Sequence, residues 1–339
     1  MIEGGFTMLR QKTEEKEKNL SKYAQRSVHS KGRLVPEKED DNLTCYEVDL
    51  FRAIHSKCFK RLDDKTQVWI APEKKPDHIR TRKSHTQEIA TWSAFVARGL
   101  NLNETLTLAI AYLHDVGHTP FGHAGEDAIK SLGYDFEHNE NSLRVVDKIE
   151  NGGGLNLTFE VRDGILNHTG ETPKPVTLEG QIVKILDKLY ICHDFEDANR
   201  MGMITINNIP KEYLQVLGPN PDEWRKTICI DMIKESLDQP EIKQSEDVNN
   251  AMFGLRGWMY DNVYLTGINK KKAEKAQFIV KVLIKYFLEN PQEMPQKFQA
   301  IANTESLPQG VIDYVAGMGD RYAQSIFEKI YLPIPRGYL

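Results

Sequence analysis

"AIAYLHDVGHTPFGHAGEDAI", residues 109–129, sets three histidines and three carboxylates into twenty-one positions, directly behind an apolar run. On a wheel of ~100° per residue, Leu106 and the run Leu108 to Leu113 point in every direction, the pattern of a helix buried on all sides. His114 and Asp115 follow at the end of that helix. A buried histidine and an ionised carboxylate cannot stay unpartnered, because a lone buried charge is costly. Mutual hydrogen bonding with capping of neighbouring elements would satisfy them; so would a divalent metal, for which imidazole and carboxylate are suitable ligands. The dipeptide does not choose between these, since the same pair recurs at His193 and Asp194. Gly117 ends the helix, a turn forms around Pro120, and a second helix begins near His123, which places His123 and Glu126 at i, i+3 on one face. A carboxylate that orients an imidazole is the arrangement of a positioned acid/base. On an exposed face the same pair is an ordinary ion pair. His118 and His123 bracket the turn, so an added ligand histidine is a further reading of either.

Outward from this stretch, apolar residues recur at spacings of three and four from about Arg26 onward, and alternating β-branched runs are scarce, so the chain is expected to be mainly α. Punctuation falls at "APEKKPD" (71–77), "ENGGGLN" (150–156), "TGETPKP" (169–175) and "GPNPDEW" (218–224). The runs 155–161 and 203–209 each read as a possible strand. Residues 1–25, centred on "TEEKEKN", read as a frayed helix or mobile tail. A core of 26–205 and a C-terminal helical region of 206–339 packed on it complete the expected division.

With 339 residues, 40% of them hydrophobic, the chain can bury a sizeable core. A net charge of −5 argues against a constitutive nucleic-acid binder, and nothing supports single-stranded nucleic acid as a partner. Four scattered cysteines, with no C-x-x-C pair, suggest neither a disulfide framework nor a zinc site. No apolar stretch approaches the ~18 residues of a membrane span, and the start lacks a secretory h-region, so a cytoplasmic protein is expected.

Three segments together carry a family likeness: "HIRTRKSHTQEIA" (78–90), the opening stretch, and "LEGQIVKILDKLY" (178–190). They resemble the H…HD…D pattern of HD-domain metal phosphohydrolases and, more narrowly, the deoxyguanosine triphosphate triphosphohydrolase family. The narrower likeness extends over "FRAIHSKCFKRLDDKTQVW" (51–69), "FEHNENSLRVV" (136–146), "GLNLTFEVRDGILNH" (154–168) and "DYVAGMGDRYA" (313–323). It implies an all-α HD-domain fold with additional C-terminal helices. It also implies hydrolysis of a deoxynucleoside triphosphate to deoxynucleoside and inorganic triphosphate, through water attack on the α-phosphorus. His85, His114, Asp115 and Asp187 would hold a divalent ion, Mn²⁺ or Mg²⁺, with His123 and Glu126 as the catalytic pair. Arg82, one helical turn before His85, can reach a bound phosphate. Arg80, Lys83, Lys60, Arg61 and Lys65 could confine positive charge to the pocket. Tyr190 would meet the sugar, and His118 and Asp194 complete the expected substrate contacts. The expected partners are the nucleotide and further copies of the chain in a homo-oligomer.

Two departures from the family pattern stand out. Its tyrosine and second aspartate follow the ligand aspartate by four and eight residues, whereas Tyr190 and Asp194 follow Asp187 by three and seven. On an uninterrupted helix all three would still share one face, which is also the face that solvated residues occupy. Upstream, "TCYEVDLFRAIHS" (44–56) lacks most of the family's arginines. Another HD phosphohydrolase, acting on deoxynucleoside monophosphates or a signalling nucleotide, and a catalytically silent nucleotide-binding regulator are the alternatives.

Overall fold

Asn103 closes a loop and opens the helix on which the fold is organised, its side chain accepting from the Leu106 amide at 3.2 Å. In this computed structural model, which describes residues 8–68, 80–264 and 267–333, every element is helical and no strand occurs among the described residues. The first eight α-helices are α1 (Met8–Glu17), α2 (Cys45–His55), α3 (Lys57–Arg61), α4 (Arg82–Gly99), α5 (Glu104–Leu113), α6 (His123–Ser131), α7 (His138–Arg144) and α8 (Phe159–Leu166). After these come α9 (Leu178–Leu186), α10 (Tyr190–Arg200), α11 (Lys211–Leu217), α12 (Pro221–Ser236) and α13 (Glu246–Met259). The last four are α14 (Gly267–Glu289), α15 (Gln296–Thr304), α16 (Leu307–Ala316) and α17 (Asp320–Tyr331). The turn at 71–77 lies outside the described residues.

Helix α5 is the hub. Leu106, Ala109, Ile110, Ala111 and Leu113 are all buried, and α2, α4, α8 and α9 pack around it. Gly164 lets α8 approach, for a Cβ there would stand 2.7 Å from Ile110 Cδ1. Two hydrophobic clusters form the core. One joins α2, α5, α6 and α8 to α14–α17 through Val280, Leu283, Phe287 and Val315. The other joins α4, α9 and α10 to α12 and α13 through Trp224, Ile228, Met252 and Leu255. Helices α4 and α9 contribute to both, Ala90 and Val183 facing the first cluster and Ile89 and Ile182 the second. The C-terminal region is therefore split between two cores and does not sit as one layer on the rest.

Three local expectations need correction. The N-terminal segment, read as a frayed helix or mobile tail, is docked from α1 onward. Glu17 is buried, accepting from Ser27 N at 2.7 Å and from Asn103 Nδ2 at 2.9 Å. The run 155–161 forms no strand, because Thr158 turns both its N–H and its hydroxyl to Asp49 and helix α8 starts at the next residue. The run 203–209 closes instead into a 3₁₀ turn, Ile206–Asn208, with the Asn208 side chain accepting from Thr205 N at 2.7 Å. No described helix is long and apolar enough to cross a membrane.

Candidate metal and acid/base centre

The first turn of α4, the last turn of α5 and the junction after α9 meet at one point. A reciprocal cap between Thr81 and Ser84 starts α4, leaving Arg82 and His85 one turn apart on its buried face. His114 caps α5 and donates Nδ1–H to the Ala111 carbonyl at 2.6 Å. In the neutral ring that bond leaves a lone pair on Nε2, and this nitrogen faces Asp187 Oδ1 at 3.5 Å and Asp115 Oδ2 at 3.6 Å. His85 Nε2 lies 3.2 Å from Asp187 Oδ1 and 3.7 Å from Asp115 Oδ2. His114 Nε2, turned on two carboxylates without a hydrogen-bond partner, and His85 Nε2 beside Asp187 form a donor set that a cation between them would satisfy. Edges of 3.2–3.7 Å suit ligands sharing one ion at about 2.1 Å. The donor set fits a divalent metal, and His85, His114 and Asp115 are grouped as a metal-competent cluster with Asp187 against two of them.

The electrostatics agree. Burial would raise Asp115, yet His114, Arg82 and His118 outweigh it and hold this carboxyl well below the usual range. Burial would likewise raise Asp187, but Lys188, His114 and His85 hold it far down. Burial acts to lower His114, and Asp115 and Asp187 reverse it, raising the imidazole above its ordinary value.

Beside this centre lies a second group, His118, His123, Glu126 and His138. His118 Nε2 meets Asp115 Oδ1 at 3.1 Å, and its ring stacks on His138 with centroids 4.1 Å apart. Glu126, buried at the start of α6, faces His138 Nδ1 at 3.2 Å and His123 Nδ1 at 3.4 Å. Burial would raise Glu126, but His123 and His138 hold it ionised. Two imidazoles thus donate to one carboxylate, each presenting Nε2 away from it. His123 is 68% exposed and His138 only 10%. His168, at the end of α8, donates Nδ1–H to Ile165 O at 2.7 Å and leaves Nε2 unpartnered, 3.9 Å from Asp115 Oδ1. Burial, then the His114 charge, depress this ring to about 3.

His138 and His168 were not among the residues expected from sequence. A signal existed in "HNENS", where His138, Asn139, Asn141 and Ser142 are all buried. That helix clamps the His–Asp turn: Ser142 Oγ donates to His114 O at 2.7 Å and accepts from Gly117 N at 2.8 Å, while Asn141 Nδ2 donates to Gly117 O at 2.6 Å. Only glycine fits there, since a Cβ on Gly117 would fall 2.1 Å from Ser142 N.

The expected phosphate-holding cations are otherwise engaged. Arg82 is buried and pairs with Asp115 Oδ2 at 2.7 Å. Lys65 is buried as well, its Nζ donating to the His118 carbonyl and to Ala316 O at 2.9 Å, and burial pushes it down to about 7. Arg80 is held by Glu196 at 2.8 Å, and Lys83 by Asp63 at 3.2 Å. Arg61 faces a separate cleft lined by none of the residues of the His–Asp centre.

A 3₁₀ turn, Asp187–Leu189, lies between Leu186 and α10. Three 3₁₀ residues advance ~6 Å and turn ~360°, close to the ~6 Å and ~400° of four α-helical residues. The wheel of an uninterrupted helix does not apply across this turn. Tyr190 accepts from Arg256 Nε at 2.6 Å. Asp194 is buried, not on a solvated face; it accepts from Tyr264 O–H at 2.7 Å, and burial pushes it up to about 8.

An HD domain is matched over residues 82–191, and a phosphohydrolase-associated domain over 242–329. The chain is similar to bacterial proteins named deoxyguanosinetriphosphate triphosphohydrolase-like protein. The one from Caldanaerobacter subterraneus subsp. tengcongensis is 46% identical, covering 96% of this chain and 97% of its own. Those from Clostridium tetani and Clostridium perfringens are each 41% identical, covering 91% and 93% of this chain and 91% and 94% of their own. Among solved structures, a hypothetical protein from Aquifex aeolicus is 18% identical with a TM-score of 0.44, covering 84% of this chain and 71% of its own.

Proposed function

The chain belongs to the deoxyguanosinetriphosphate triphosphohydrolase-like family of HD-domain phosphohydrolases, and from that membership we propose that it hydrolyses deoxynucleoside triphosphates, dGTP foremost. The products in this reading are deoxynucleoside and inorganic triphosphate, from attack of water on the α-phosphorus. The observation that carries the reading is the convergence of His85, His114, Asp115 and Asp187 on one point, a donor set that fits a cation.

These four residues would hold Mn²⁺ or Mg²⁺. Such an ion supplies Lewis acidity at an α-phosphate oxygen and neutralises charge that develops there. Glu126 orients His123 through Nδ1 and leaves Nε2 to move a proton at the attacking water or the leaving 5′-oxygen. His138, held by the same carboxylate, is a second imidazole within reach of that role. His118, neutral because burial and Arg82 depress it, meets the Asp115 carboxylate on the side away from His85 and His114. Tyr190, fixed by Arg256, and Asp194, fixed by Tyr264, set the wall proposed to face the sugar. The reading carries with it a cytoplasmic homo-oligomer.

The test is the identity of the product. Protein reconstituted with Mn²⁺ and given each deoxynucleoside triphosphate, singly and mixed, should release triphosphate and deoxynucleoside in equal amounts, followed by phosphorus NMR. Stepwise release of orthophosphate contradicts attack at the α-phosphorus. Cleavage of monophosphates alone would assign the chain to another branch of the HD phosphohydrolases.

A further inference from the structure

A cleft of about 270 Å³, lined by none of the residues of the His–Asp centre, lies between α3 and helices α15–α17. Its floor is aromatic and buried, made by Phe298 and Tyr314, with Tyr322 at the rim and its hydroxyl 3.2 Å from that of Tyr314. Two cations flank this floor. Arg61 makes no hydrogen bond or ion pair with any described residue, and its Nε is buried without a partner. Lys297 has no carboxylate partner among the described residues and rests 4.5 Å over the Phe298 ring. The acids nearby are already committed. Asp64 pairs with Arg321 at 2.6 Å, and the Glu150 carboxylate accepts from Lys57 N at 2.6 Å and Cys58 N at 3.1 Å. Burial, followed by the Arg61 charge, depresses the Lys297 ammonium, and the Glu150 carboxylate offsets this only in part.

Like charges only partly offset, in a concave and partly dry site, are stabilised by an anion with several acceptor oxygens, and a guanidinium beside an ammonium matches phosphate oxygens in particular. We propose that this cleft is a binding site for a short phosphate chain, held by Arg61 and Lys297 against the Phe298–Tyr314 floor. The volume is below the ~300–1,000 Å³ of pockets for drug-sized ligands, which favours a chain of phosphates over a bulky organic anion.

An occupant would touch Gly317, Met318 and Gly319. The residues on either side of that tripeptide hold the catalytic turn. Ala316 O accepts from the Lys65 ammonium that also bonds His118 O, and the Asp320 carboxylate accepts from Thr66 N at 3.0 Å and Phe121 N at 2.8 Å. Phosphate bound in the cleft therefore stiffens the segment that carries His118 and leads into His123.

Titration calorimetry of the full chain in EDTA with inorganic triphosphate tests the site. Binding should weaken about tenfold in Lys297→Gln and in Arg61→Gln, the scale of one lost charge-assisted contact, and stay within twofold in His123→Ala. Lys297 is exposed, so its variant reads the site even if Arg61→Gln folds poorly. Deoxyguanosine should not bind. Equal affinity for triphosphate and dGTP identifies the free chain as the ligand, and tighter dGTP binding identifies the phosphate tail of a nucleotide. In wild type, triphosphate should also slow amide exchange in residues 118–122. Absence of binding at millimolar triphosphate, or binding unchanged in Lys297→Gln but lost in His123→Ala, overturns the proposal.

Discussion

The chain contains two His–Asp pairs, and they reach opposite electrostatic solutions within one ring's distance of each other, since the His85 ring lies 5.8 Å from His114 and 5.2 Å from His193. At His114 and Asp115 the neighbours are His85 and Asp187, and the acids are driven well below their usual range. Charge is concentrated there, with two imidazoles turned on two carboxylates. At His193 and Asp194 the neighbours are Glu88, 3.3 Å from His193 Nδ1, and the Tyr264 hydroxyl on Asp194. Burial depresses His193 to about 4 and raises Asp194 to about 8, opposite to the direction of the acids in the first pair, and His193 Nε2 lies 3.4 Å from Asp194 Oδ1. The dipeptide is the same; the company it keeps decides whether its carboxylate is held ionised among histidines that suit a cation or is pushed towards its neutral form.

The sharpest way to break this contrast is to remove one acid from each pair. Asp115→Ala should abolish metal binding and lower turnover by ~10³-fold or more, several kcal/mol of lost transition-state stabilisation, whereas Asp194→Asn should keep the metal. Equal metal loss in both, measured by elemental analysis, would erase the distinction. Next in size is His123→Ala, expected to lower turnover by ~10²–10⁴ with metal content unchanged, as for a lost acid/base. Glu126→Gln should follow in the same direction with a smaller loss, because His123 keeps a hydrogen-bonding partner. If His123→Ala strips the metal, that histidine is a ligand and the single-ion reading fails.

Gly117→Ala probes how the first pair is held, because its Cβ would strike Ser142 N at 2.1 Å. It should destabilise the fold by ~1–3 kcal/mol, the cost of overpacking a tight site, visible as a lowered denaturation midpoint. An unchanged midpoint would mean that α7 does not clamp the turn. The smallest effect is a slope. A carboxyl with a raised folded pKa binds its proton more tightly in the native state, so its contribution to stability is full below the unfolded value of 3.8 and is lost as pH rises towards about 8. Asp194→Asn should therefore flatten the fall in stability across that window. Urea titrations at pH 5 and pH 8 check this, and an undiminished fall would show that Asp194 is ionised in the native protein.

Much of this arrangement was legible because its signals are local. His114 beside Asp115, Arg82 one turn before His85, and His123 three residues before Glu126 each put two groups on one helical face whatever the tertiary fold. Partners distant in sequence were not legible. His138 and His168 reach the centre only because α7 and α8 pack against α5 and its turn. The cations looked free for phosphate, yet Arg82 is taken by Asp115 and Lys65 by the carbonyls of His118 and Ala316. Arg61 lacks such a partner, and it faces a different cleft. The shared face expected for Asp187, Tyr190 and Asp194 assumed one continuous helix, whereas a 3₁₀ turn follows Asp187, which no uniform wheel can express.

Metal stoichiometry across the two pairs tests the central claim most directly. After reconstitution with Mn²⁺ and removal of free ion, elemental analysis of wild type and Asp194→Asn should find the same content of about one ion per chain, the number a single cluster of four ligands holds, and Asp115→Asn should retain next to none. Retention of the ion in Asp115→Asn, or its loss in Asp194→Asn alone, would contradict the assignment of the cation to the His114–Asp115 pair.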